Sequence, residues 1–107
     1  MAEDPFQRVP DAPLFVVPRT LDALRAFRDG PGLDDNLARV TDRLLAGVAA
    51  HPTKFWVLKQ FQPVLEGARD ESAETRERVG AGLRHIMDIL GIESSDGVLT
   101  YYLGRSA

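Results

Sequence analysis

Two histidines, sixteen carboxylates and no cysteine are the raw material for chemistry in this chain. Without cysteine there is no disulfide, no thiolate nucleophile and no cysteine-based metal site, and the composition fits a reducing, cytoplasmic setting. His51 and His85 lack HExxH spacing and so make a poor metal pair. His85 falls near the outer edge of a helical pattern and should face solvent. His51 stands at a helix C-terminus, which is a structural position. Gly80-Ala81-Gly82 is a G-x-G inside a helical pattern, with no preceding strand and no continuation, so it is no phosphate cradle. Each glycine costs about 1 kcal/mol against alanine in a helix. Close approach of another backbone, such as the Pro-rich N-terminal strap, would offset that cost. Asp34-Asp35-Asn36 lacks the alternation, central Gly and terminal Glu of a calcium loop and reads as helix capping. No carboxylate sits in an apolar run where burial would raise its pKa for general acid work. No serine lies in a G-x-S-x-G or beside a histidine. These residues predict a chain that is not an enzyme and carries no cofactor or metal.

The elements that would position these groups are helical. Residues 54–66, KFWVLKQFQPVLE, are apolar around most of a helix circumference, with a polar stripe at Lys59, Gln62 and Glu66. So greasy a helix must be covered on several sides. Pro63 removes a backbone donor and either kinks this helix or opens a second one after a break near Gln62. Thr53 can cap it. Before it, Leu33, Leu37, Val40, Leu44 and Val48 form a narrow stripe, with Asp34 and Asp35 in the first turn and His51-Pro52 at the end. Thr20 is the expected cap of an earlier helix carrying Leu21, Leu24 and Phe27, stopped by Gly30-Pro31-Gly32. After it, Ser72 or Asp70 caps a long helix whose Val79, Leu83, Ile86, Met87 and Leu90 face inward. Glu74 with Arg78, and Asp35 with Arg39, have the spacing of helical ion pairs. Gly91-Ile92 reads as a Schellman stop. Ser94 or Ser95 would cap a last helix returning Leu99, Tyr102 and Leu103 to the core.

Residues 1–18 read as a Pro-rich arm, which Phe6 and Val9 could pin to the body. Residues 14–17 are a short strand or, better, an extended strap, since no partner strand is apparent. Residues 19–107 then form a single all-α domain, a small antiparallel bundle of four to five helices. The 44% hydrophobic and 27% charged composition is that of a globular protein. No apolar run approaches the roughly 20 residues that span a bilayer, and the acidic, proline-broken start is no secretory signal. The net charge of −3 is spread over both halves, so there is no basic face for nucleic acid.

KFWVLKQFQPVLE followed by ETRERVGAGLRHIMDILGIESSDG, above all MDILGIESSDG, resembles a bacterial family of small helical domains of unknown function, over residues 55–99. The resemblance implies no activity and no site residues. It makes MDILGIESSDG a fixed structural corner.

Two functional readings follow. The first is a non-catalytic protein-interaction domain, such as an immunity protein that neutralises a toxin. Its contacts would be Glu93, Ser95 and Asp96, joined by Asp34 and Asp35 if the fold brings those ends together, because carboxylates complement positive clefts. Aromatic surface left uncovered would also favour a homodimer. The alternative is a small-ligand-binding domain with a pocket lined by Trp56, Phe61, Tyr101 and Tyr102.

Overall fold

The computed structural model describes residues 4–104. They form six helices: α1 (Pro18–Arg28), α2 (Asp35–Gly47), α3 (Lys54–Gln60), α4 (Gln62–Ala68), α5 (Ala73–Leu90) and α6 (Val98–Leu103). The all-α class holds. The sixth helix arises because residues 54–66 are two helices and not one kinked rod. The Phe61 N–H bonds back to Leu58 O at 3.1 Å, a tight three-residue turn, while Phe61 O accepts from Leu65 N at 2.9 Å. Pro63 has no N–H to continue the first ladder and sits instead in the opening turn of α4, where none is needed.

Local chemistry sets most other boundaries. Asp34 caps α2 by accepting from Asn36 N at 2.8 Å, Thr53 caps α3 through Trp56 N, and Ser72 caps α5 through Thr75 N. Gly91 takes φ 77°, and Ile92 N reaches back to Met87 O at 2.8 Å. That closes the Schellman motif and buries Ile92. Before α6, Ser95 Oγ accepts from Leu99 N at 3.2 Å, while Ser94 Oγ holds Asp96 N. At α1 the expected cap is corrected. The helix starts at Pro18, whose fixed φ suits a first position. Thr20 therefore lies inside the first turn, its hydroxyl accepting from Val17 N at 3.3 Å.

The helices pack as two groups that share α5. α1 and α2 cover one side of it, and α4 and α6 another. The molecule is only 19 Å across its shortest axis, about two helix diameters. The stripes buried are Leu37, Val40 and Leu44 of α2 and Val79, Leu83, Ile86, Met87 and Leu90 of α5. Phe61 is the largest fully buried side chain. Phe55 and Trp56, at the start of α3, are not so covered. α3 is thus less central than its composition implies. Thr41 is the buried polar residue of the core, and its hydroxyl donates to Leu37 O at 2.7 Å.

Residues 1–3 of the arm lie outside the described residues, and from residue 4 onward the arm is part of the body. Phe6 and Val9 are buried, and Lys59 Nζ lies 4.5 Å from the Phe6 ring centroid. Leu14 N donates to Pro52 O at 2.7 Å and Lys54 N to Ala12 O at 2.8 Å, around a single antiparallel bridge between Pro13 and Thr53. Residues 14–17 are extended beyond that bridge without forming a strand. Leu14 and Val16 pack on the core, while the alternate residue Phe15 is 86% exposed.

Candidate ligand groove between α1, α2 and α5

An open groove of about 600 Å³ lies between three helices. Its walls come from α1, the turn after it, the start of α2, and one face of α5. α5 contributes Arg78, Gly82, His85 and Ile89, spaced i, i+4, i+7 and i+11 and so on one side of the helix. α1 contributes Ala23, Ala26 and Phe27, and α2 contributes Leu37.

The groove exists because small residues stand where helices meet. Ala23 and Ala26 project little from α1. At Gly82 an added Cβ would fall 2.5 Å from Leu37 Cδ1. The approach that Gly82 permits is therefore by a side chain of α2, not by the N-terminal strap. Phe27 and His85 meet across the groove, their ring centroids 4.9 Å apart and tilted by 52°. Asp34 sits at the edge with its carboxylate engaged in the α2 cap. Arg78 makes no hydrogen bond or ion pair among the described residues, nor does the His85 ring take a hydrogen bond. The pairs expected between Glu74 and Arg78 and between Asp35 and Arg39 are absent there. Exposed helical pairs gain only a few tenths of a kcal/mol, too little to hold two long side chains in one geometry.

The four aromatic residues expected to share a pocket are dispersed. Phe61 is closed inside the core. Trp56 stacks on His51 with centroids 5.4 Å apart and borders a separate, smaller recess with Phe55 and Lys59. Tyr101 is partly exposed and meets Tyr102 edge-on at 5.0 Å, with the Arg69 guanidinium 5.4 Å from the Tyr101 ring. The Tyr102 phenol is pushed above its usual range, first by burial and then by Glu66. The acidic residues are dispersed as well. Asp96 forms an ion pair with Lys54 at 2.5 Å, with both side chains partly buried. Asp96 holds φ 53° and Gly97 φ 90°, a left-handed corner that Asp and Gly tolerate. Glu93 and Ser95 border a recess with Arg84 and Asp88, whereas Asp34 borders the main groove and Asp35 is exposed. The main groove takes in Asp34 without Glu93 or Ser95.

Trp56 has a structural task. A Cβ at Gly47 would fall 2.6 Å from Trp56 Cζ2, so the indole lies directly over the end of α2. Gly47→Ala is expected to cost about 1–2 kcal/mol, since a rigid ring must leave its seat. In a Trp56→Ala background the same change should cost nothing or stabilise, through the better helix propensity of alanine. Urea melts of the four-variant cycle read this coupling, and additive effects would contradict it.

Spacing in the sequence does not mark Phe27, Arg78 and His85 as a unit. The available signal was the shortage of bulky residues at Ala23, Ala26 and Gly82 on faces that are otherwise amphipathic. Among the described residues no group of three His, Asp or Glu is placed to hold a metal ion, and no helix is long and apolar enough to cross a membrane. No curated protein and no solved structure matches this chain. The model of a domain family of unknown function, DUF4844, matches residues 25–106, from within α1 to beyond α6, and the chain belongs to that family.

Proposed function

We propose that this is a non-catalytic binding domain whose α1–α2–α5 groove receives the apolar part of a small ligand. The observation that carries this reading is the groove itself. It is about 600 Å³, of the size and mostly apolar lining typical of small-molecule sites, with a few polar groups at its edge. Arg78, His85 and Asp34 supply those groups. This is the ligand-binding alternative raised by the sequence, moved to different residues. A protein partner gripping the acidic corner draws less support, because the Asp96 charge is already matched by Lys54 and Asp34 lies on another wall.

Ala26 is exposed on the α1 wall, so Ala26→Trp should fill the groove without disturbing the core. The wild-type protein is heated with a panel of small amphipathic metabolites. A true ligand at 100 times its Kd adds about 2.7 kcal/mol of stability, roughly 10–20 °C in Tm for a domain of this size. Ala26→Trp should fold normally and lose the shift. Equal stabilisation of both proteins by every active compound, or turnover of a panel member, would overturn the reading.

A further inference from the structure

Resting on that reading, we propose that the ligand of the groove is a small, singly charged amphipathic carboxylate. Its acid group is held by Arg78, and its apolar body runs along α5 past Gly82 and His85 towards Ile89. Arg78 is the groove's permanent cation, an exposed side chain with no ion pair among the described residues. Glu74 stands one turn earlier on the same helix, and Asp34 stands on the same groove, yet neither is bonded to it. Guanidinium stays charged at all relevant pH and presents its donors as a planar fork that matches a carboxylate bidentately. Beyond Arg78 the walls are apolar: Ala23, Ala26, Gly82 and Ile89, with His85 turned onto the Phe27 ring. From Arg78 to Ile89 is eleven residues of helix, about 16 Å. A medium-chain or aryl-alkyl acid fits within that length. Asp34 narrows the class further. Its carboxylate stays at the groove edge as the α2 cap, and like-charge repulsion there would weigh about twice as heavily on a dianion, such as a phosphate monoester, as on a monoanion.

The test compares octanoate with octan-1-ol, two probes of the same chain length that differ in the acid group. Both are titrated into the full chain, and amide chemical shifts at Gly82, His85 and Ile89 give the affinities. Octanoate should bind about threefold to tenfold more tightly than octan-1-ol, the worth of a charge-assisted contact at an exposed rim. Arg78→Gln should bring octanoate down to the level of the alcohol and leave the alcohol unchanged. Arg78→Lys should retain part of the preference. Equal binding of both probes at the groove would overturn the carboxylate assignment while leaving the groove as a ligand site. An equal loss of both probes in Arg78→Gln would make Arg78 structural and overturn the assignment too. Absence of shifts at all three amides with either probe would overturn the groove reading along with it.

Discussion

Replacing Phe61 with alanine is expected to destabilise the protein by about 3–5 kcal/mol, a drop in Tm of roughly 15–30 °C. The ring is fully buried at the corner where α3 turns into α4. The turn itself is made by backbone bonds from Phe61 N to Leu58 O and from Leu65 N to Phe61 O, and alanine keeps both. The loss is therefore packing: the transfer energy of the ring plus the cavity it leaves. Small domains have about 5–15 kcal/mol in total, so the variant would sit near the edge of folding. Phe61→Leu should cost only about 1–2 kcal/mol, because most of the volume is kept. Trp56→Ala, at a half-buried site, should fall well short of Phe61→Ala despite the larger side chain. Urea unfolding of the three variants decides the order. If Trp56→Ala were the most damaging, the assignment of Phe61 as the anchor of the core would be wrong.

Phe6→Ala should also be costly, about 2–4 kcal/mol, although Phe6 lies in an arm interrupted by prolines. Phe6 is 3% exposed, its N–H donates to Asp4 Oδ1 at 2.9 Å, and Lys59 lies over its ring. The cost is capped by the free energy of detaching the arm, since a segment that peels away leaves the rest folded. A second readout separates detachment from global unfolding. Leu14 N and Lys54 N hold the arm to the body through Pro52 O and Ala12 O. Their hydrogen exchange should accelerate in Phe6→Ala more than that of amides in the middle of α5. Unchanged stability and unchanged protection at both amides would show that the arm is not integral. The family match begins at residue 25, so Phe6 lies outside the matched residues.

Where a structural choice depended on neighbours within a few residues, the sequence was sufficient. The stripe Leu37, Val40, Leu44 and Val48 is buried as its period requires. Thr53 and Ser72 cap the helices that follow them, and Gly91-Ile92 makes its stop. These are decided by helical period and by unsatisfied N–H and C=O groups at helix ends, all local quantities. Pro63 marks the limit. Its missing N–H predicts a disturbance, but kink and break both satisfy the backbone. The choice fell to packing, which closes Phe61 into the core and turns α4 towards α5 and α6. Thr20 shows the same limit in a smaller way: it was the expected cap, and the helix begins two residues earlier at Pro18.

The groove depended on tertiary structure altogether. A small residue in a helix records only that something is missing from one face, and the sequence does not say what approaches there. The fold pairs Gly82 with Leu37 and leaves Ala23 and Ala26 on the groove wall. It sets Arg78 along that groove and not on Glu74. It also scatters Trp56, Phe61, Tyr101 and Tyr102, whose shared aromatic character suggested a common pocket. By itself the sequence determined an all-α domain, most helix limits and the inward faces of α2 and α5, because these follow from periodicity and capping. Which helices touch, and where they fail to touch, was decided only by the packed chain, because a cavity is a property of several surfaces at once and no single segment encodes it.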